Sequence, residues 1–443
     1  MSTANHYPET LRIVSISDSE SYLKWACALL STLPGVDAHV FLIDNPILPT
    51  PEQIRHAVAG TPWASREIET ITRAEVAATV ASLRPDIVLA AATGPVVAQV
   101  FASAHALSPR PALVSGLPGM GLPARQKGMR YRRLGDAFIA HSQFEVSEYE
   151  RVSARVEVPT EVILGRLPML RSVGIPAPIR TGSAVPETLV FATQAKVPAD
   201  RLDRTAIVGA LARFAAAHPG SRTIIKVRSR PGEQETHHEQ HPYHEILDEL
   251  RAARVPGSDR LELGYGPMSD FLTPTSALVT VSSTAALESI DRGIPTALIS
   301  DFGFEPELLN EVFADSGATA SLAEVAAGRI PFPTTEWLSA NYFHPLDGHL
   351  RRRLGLLGLR ARQGQLPDMR RALWKQKRML ARAELRTVSP EFVVRAYRRV
   401  RYGRPRPSAG SAAPLVDRRV PPHVDSAIPP HVASAIPPHA HDQ

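Results

Sequence analysis

The chain has 443 residues, too many for one ordinary hydrophobic core, and its hydrophobic fraction of 44% excludes wholesale disorder. A single cysteine, Cys27, excludes an internal disulfide and a multi-cysteine zinc site, and predicts a reducing, cytoplasmic setting with Cys27 as a small buried residue of the first helix. The net charge of +6 is uneven: residues 1–350 hold 30 basic and 38 acidic residues, whereas Arg351 to Arg406 hold 18 basic against three acidic.

In chain order, the first half alternates short apolar runs with helical patterns, as a parallel sheet buried on both faces requires. Predicted strands are Leu11 to Ser17, Ala38 to Ile43, Ile87 to Ala91, Ala112 to Ser115 and Ala137 to Ala140. No charged and apolar leader opens the chain, which predicts no secretory signal. The longest nearly uncharged run, Ile87 to Leu107, is broken by Gly94-Pro95 and reads as strand plus helix, not as a membrane span. Pro168, Pro176, Pro178, Gly182 and Pro186 then mark a linker. Alternation resumes with Thr188 to Ala192, Thr223 to Val227, Leu261 to Leu263, Ala277 to Val281 and Thr296 to Ser300. The expected architecture is α/β with two Rossmann-like domains, 1–167 and 187–345, joined by a linker over 168–186, then a basic helical extension over 346–406 and a disordered tail over 407–443. Ligands of such open sheets bind at the carboxyl ends of the strands.

The stretch VTVSSTAALESIDRGIPTALIS, residues 279–300, is the most informative. It reads as a buried strand, a turn of small hydroxyl residues, a helix opening at Thr284, then Gly293, Pro295 and a second strand. A helix that starts directly after a strand turns unpaired N–H groups to the space above the sheet, so Ser282, Ser283 and Thr284 form a candidate phosphate seat. Glu288, one turn further in, can accept hydrogen bonds from a ribose diol. The plain alternative is an ordinary strand-helix-strand repeat with a solvated Glu.

The spacing Glu288, Gly293, Pro295 resembles that of glycosyltransferases of the GT-B fold, and the segment looks like the equivalent part of the N-acetylglucosaminyl transferase of peptidoglycan synthesis. The run from Asp18 to Trp25 is similar to an uncharacterised glycosyltransferase family, and the likeness extends over roughly residues 10–345. The resemblance implies a nucleotide-sugar donor on the second domain, an acceptor on the first, and no metal cofactor. Retaining members often carry a second Glu where this chain has Thr280, so an inverting reaction is expected.

Glycosyl transfer requires that the nucleotide be held, that charge on the leaving phosphate be offset, and that a proton leave the acceptor hydroxyl. For the second task the strand end IIKVRSR offers Lys226 and Arg228 on one face. His241, followed by Pro242, matches a His-Pro pair that some sialic acid and Kdo transferases use at the donor. In the fold this chain resembles, the acceptor domain places its base on a loop after a strand, which makes Asp18 the first candidate with His141 in reserve; Asp18 can equally be a helix cap. The glycine-rich, basic loop at 116–136 lacks the order of a nucleoside-triphosphate loop, but its Arg125, Arg132 and Arg133 can engage a phosphate-bearing acceptor.

The basic extension contains MRRALWKQKRMLARAEL with helical spacing. Such a helix can cross back to brace the first domain, lie on anionic lipid, or bind nucleic acid; no nucleic-acid partner is expected. The Pro-Pro-His repeat of the tail has too few large apolar groups for a core. The expected activity is transfer of a sugar to a cell-surface glycan or lipid-linked acceptor, by an enzyme that is cytoplasmic and peripheral at the inner face of the membrane. A nucleotide-sugar 2-epimerase of the same fold and a non-catalytic membrane or nucleic-acid scaffold are the alternatives.

Overall fold

The computed structural model describes residues 10–172, 174–179, 185–227, 239–345 and 348–388, with side chains to residue 381. Arg228, His237, His238 and everything beyond residue 388, including the rest of the basic extension and the tail, lie outside the described residues.

The first sheet contains β1 (Leu11–Ser17), β2 (Val36–Ile43), β3 (Glu69–Ile71), β4 (Ile87–Ala91), β5 (Ala112–Gly116), β6 (Ala137–Ala140) and β7 (Glu161–Leu164). They alternate with helices α1 (Glu20–Ser31), α2 (Pro51–Val58), α3 (Val76–Leu83), α4 (Gly94–His105), α5 (Gln126–Tyr131) and α6 (Gln143–Arg155). The strand order is β3-β2-β1-β4-β5-β6-β7. The second sheet has order β10-β9-β8-β11-β12-β13, from β8 (Thr188–Ala192), β9 (Arg222–Lys226), β10 (Leu261–Gly264), β11 (Ser276–Thr280), β12 (Thr296–Ile299) and β13 (Thr319–Ala320). Its helices are α7 (Arg201–Ala217), α8 (Tyr243–Ala252), α9 (Ala285–Asp291), α10 (Leu322–Ala326) and α11 (Thr335–Ala340), followed by α12 (His349–Arg362) and α13 (Arg370–Val388). The pairings are parallel, and each sheet has a switch point where the order reverses: between β1 and β4, and between β8 and β11. These are two Rossmann-like units, as the alternation in the sequence predicts.

Central strands such as β4, β5 and β11 are buried along their whole length because helices cover both faces, which is why they stand out as apolar runs. The expected strands are present with ends within two residues. Edge strands β3, β7 and β13 were not expected: β3 exposes two of its three residues, β7 is half-buried, and β13 has two residues, so none presents an apolar run.

The described residues up to Ala383 belong to one compact unit, and a continuous apolar cluster includes Leu11 and Ile139 of the first sheet and Val190 and Leu278 of the second. The basic extension begins as a brace. Gly358 of α12 lies so close to β1 that a Cβ would stand 2.5 Å from Leu11 Cδ1, and Arg362 pairs with buried Asp86 at 2.6 Å. Arg353 pairs with Glu161, and Met369, ahead of α13, is buried with Val96 and Phe101. No helix among the described residues is long and apolar enough to cross a membrane.

The linker is clamped to α9. Asp291 accepts from the N–H groups of Arg171 (2.7 Å) and Ser172 (3.0 Å) and from the Ser172 hydroxyl, while Ile179 N–H donates to the Gly293 carbonyl at 2.9 Å. Gly293 has φ +70°, and a Cβ there would meet the Ala177 carbonyl at 2.4 Å, so the Gly-x-Pro spacing serves this junction. Gly293→Ala is therefore expected to lose about 2–3 kcal/mol of stability, read by urea denaturation.

Cys27 is fully buried in α1, and burial raises its thiol from 9.0 to about 12. The neutral thiol is the form the fold favours, so this contribution to stability is complete below pH 9 and is lost as pH rises towards 12. At pH 8 an aromatic disulfide reagent is expected to label Cys27 only after unfolding.

Candidate functional site

Strand register brings three chain segments together at the second switch point. Ala192, the last residue of β8, is paired with Lys226 of β9 on one side and Thr280 of β11 on the other. The chain leaves all three strands around a cleft of about 500 Å³, lined by Thr193, Gln194, Lys226, Ser282 to Ala285 and Glu288, with Met120 and Leu122 of the first domain on the opposite wall. The walls are cross-linked. The Thr193 hydroxyl donates to the Lys226 carbonyl (3.1 Å), Gln194 Nε2 to the Ser282 carbonyl (3.1 Å), and the Ser282 hydroxyl to the Leu309 carbonyl (2.7 Å).

Two polar groups withdrawn from solvent in the cleft are uncommitted among the described residues. Glu288, half-buried on α9, has a carboxylate with no hydrogen bond or ion pair. The Gln194 amide oxygen is buried and unpartnered. Lys226 is buried with its ammonium on the Val227 carbonyl at 2.5 Å. Of the expected hydroxyl seat, Ser282 is spent on Leu309 and the Ser283 hydroxyl accepts from Ala285 N–H at 3.2 Å, while Thr284 is exposed ahead of the seven-residue α9.

The two residues expected to be catalytic are both buried in the first domain. Asp18 is fully buried and spans the first switch point, accepting from Thr93 N–H (2.8 Å) and the Thr93 hydroxyl (2.5 Å), so it braces β1 against the start of α4 and does not line the cleft. His141 is also fully buried. Trp25 Nε1 donates to its Nε2 (2.9 Å), which also lies 3.0 Å from the Leu117 carbonyl, and its Nδ1 lies 2.7 Å from the Gly165 carbonyl, so both ring nitrogens are engaged within the first domain. Gly116 leaves room for that Trp25 ring, from which a Cβ would stand 2.6 Å.

The other expected residues are also off the cleft lining. His241 contributes its carbonyl to Arg204. Arg125 is exposed; Arg132 is buried under α5, over the Phe138 ring at 5.5 Å, with Nη1 on the Gly128 carbonyl and Nε and Nη2 unpartnered among the described residues. Arg133 is half-buried and its pKa is lowered by burial and by Arg130. The three arginines expected at the acceptor thus differ in burial and none lines this cleft.

A family model described as "Putative glycosyltransferase (DUF6716)" matches residues 13–357. The chain belongs to this glycosyltransferase family. A search of curated protein sequences gives no match. Among solved structures, the S. aureus MnaA-UDP co-structure aligns with a TM-score of 0.51 at 11% identity, over 81% of this chain and 98% of that one. UDP-GlcNAc 2-epimerase from Methanocaldococcus jannaschii gives 0.48 at 12%, over 79% and 100%. Apo UGT2 of Phytolacca americana gives 0.44 at 12%, over 80% and 94%. At such identities the likeness is one of fold, which is GT-B.

The residue that shapes this family member's cleft without having been expected is Arg204. It is 1% exposed on α7, and its guanidinium donates to the carbonyls of Gln194 (3.1 Å), Ala195 (2.8 Å), Pro198 (2.8 Å) and His241 (2.8 Å), pairs with Glu239, and covers the Tyr243 ring at 4.8 Å. One side chain thus sets the loop after β8 that forms a cleft wall. The signal was available: Arg204 shares a helical face with Ile207, Val208 and Leu211, where a charge is out of place unless paired. Arg204→Ala is expected to cost about 2–4 kcal/mol in thermal or urea unfolding, because it strands buried acceptors, and to weaken nucleotide binding through the displaced loop.

Proposed function

We propose that this protein transfers a sugar from a nucleotide-sugar donor, held in the β8–β9–β11 cleft, to an acceptor held by the first domain. The observation that carries the reading is the uncommitted Glu288 carboxylate in the same cleft as Lys226, at the switch point of the second sheet. A carboxylate left half-buried with no partner is poised for a ligand's hydroxyl pair, and the ribose diol supplies one. Gln194 Oε1 offers a base N–H its acceptor. In the turn ahead of α9 the N–H groups of Ser283 and Ala285 are spent on the Thr280 and Ser283 hydroxyls, which leaves the Thr284 N–H to meet a phosphate, and the Lys226 ammonium opposes the charge that grows on the leaving diphosphate without recourse to a metal ion. The UDP held by the S. aureus relative makes a uridine donor the first to try.

An inverting course agrees with Thr280. Where retaining members carry a second Glu, this hydroxyl is buried in the sheet and donates to the Ala192 carbonyl at 2.9 Å, so that position is structural. A glycan or lipid-linked acceptor at an anionic membrane fits the basic surface of α13, where Trp374 is exposed with Arg378 over its ring at 5.1 Å.

The test is binding and turnover with nucleotide sugars. Glu288→Ala is expected to weaken a uridine nucleotide about 10- to 100-fold by calorimetry with an unchanged melting temperature, since no internal bond is lost. Unchanged affinity would remove the proposal's main support. Turnover of donor with no acceptor present would assign the epimerase reaction instead, and no nucleotide affinity would leave the scaffold role.

A further inference from the structure

A second cavity, of about 490 Å³, lies at the opposite end of the first sheet, at the amino ends of β1, β4 and β5. Four arginines line it: Arg12 near the start of β1, Arg84 before β4, Arg110 before β5 and Arg362 at the end of α12. Two of the four are satisfied by buried acids. Arg362 holds Asp86 through Nε (2.6 Å) and Nη2 (2.7 Å), and Arg110 holds Asp136 through Nη1 (2.8 Å) and Nη2 (2.9 Å). Each carboxylate is also bound by a backbone N–H, from Arg12 and Leu113 respectively. The acids are thus fully used, and Arg12 and Arg84 have no side-chain hydrogen bond or ion pair among the described residues.

Several features mark this as a recess built to keep positive charge. Pro85, Pro109 and Pro111 also line it, and their fixed φ angles stiffen its backbone. Arg84 caps α3 in the left-handed region, at φ 44°, ψ 57°, where Asn or Gly would be at ease and Arg is strained. Nearby His105 has its pKa lowered by burial first and then by the charge of Arg110, as expected beside a cationic locus. Two unpaired guanidinium groups flanked by two paired ones give a local excess of two positive charges, with planar donors that match a phosphate's oxygens.

We propose that this groove is a second anion site, separate from the donor cleft, in which Arg12 and Arg84 bind a phosphate group. The phosphate has two possible sources, a free phosphate compound or the headgroup of an anionic lipid, and both present the same chemistry to the groove. The proposal does not depend on the sugar-transfer reading.

The experiment compares the full chain with Arg12→Ala/Arg84→Asn. Both side chains are exposed and unpaired among the described residues, and Asn relieves the left-handed backbone at 84, so the variant is expected to melt at or slightly above the wild-type temperature. Inorganic pyrophosphate is titrated by calorimetry; vesicles of phosphatidylcholine alone, and of equal parts phosphatidylcholine and phosphatidylglycerol, are tested by co-sedimentation. The expected result is a loss of about tenfold in affinity per arginine removed, with uridine nucleotide affinity unchanged. Loss of pyrophosphate binding alone assigns a free phosphate ligand, and loss of phosphatidylglycerol-dependent sedimentation assigns the headgroup. Pyrophosphate seated in the donor cleft would be indifferent to both substitutions. Wild type and variant binding both probes equally, or neither probe at all, would overturn the proposal.

Discussion

The arrangement of the first domain around the cleft depends on one buried carboxylate. Glu145 is 1% exposed, and its two oxygens accept from Gly121 N–H (2.7 Å), His141 N–H (2.8 Å) and the Tyr342 hydroxyl (2.8 Å). A charge so placed is tolerable only when its oxygens are met by donors, and here the donors come from three separate parts of the chain. Gly121 belongs to the loop that carries Met120 and Leu122 to the cleft, His141 N–H begins the turn into α6, and Tyr342 lies in the segment that follows α11. The Tyr149 hydroxyl closes the same loop on the Gly121 carbonyl at 2.5 Å. Burial, with Glu145 beside it, pushes the Tyr342 hydroxyl far above its usual range, so the proton that makes this bond stays in place.

Tyr342 also has a positive φ of 32°, which a bulky residue adopts only when its surroundings compel it. The hydrogen bond to Glu145 and the packing against Trp337, with ring centroids 6.5 Å apart, are that compulsion. Trp337 is held in turn by its indole N–H on the Val312 carbonyl at 2.8 Å. To the apolar cluster that the two sheets share, the bond from Tyr342 to Glu145 adds a buried polar contact between the segment after α11 and the first domain.

Much of the fold was legible because parallel central strands write themselves as apolar runs, and the Glu-x4-Gly-x-Pro spacing located α9 and its cleft. Of the residues expected to hold a donor, Glu288, Lys226 and the 282–284 turn line one cleft. The first domain was harder to read. Asp18 and His141 stand at strand ends where catalytic groups are often found, but sequence position cannot tell a group aimed at solvent from one aimed at a neighbouring loop. Their partners, Thr93, Trp25 and Gly165, are distant in the chain and become neighbours only through the sheet order. Part of the Asp18 to Trp25 resemblance thus rests on residues that hold the domain together. Arg204 was overlooked for a related reason: all the carbonyls it binds lie outside its helix and are invisible to helical periodicity.

The clamp between α9 and the linker has a consequence for how this family can vary. Glu288 faces the cleft and Asp291, three residues on, grips Arg171 and Ser172 from the same short helix. One residue inserted between them would turn the two carboxylates roughly 100° out of phase, and no seven-residue helix could then satisfy both. This helix is therefore fixed in length by the two carboxylates it carries.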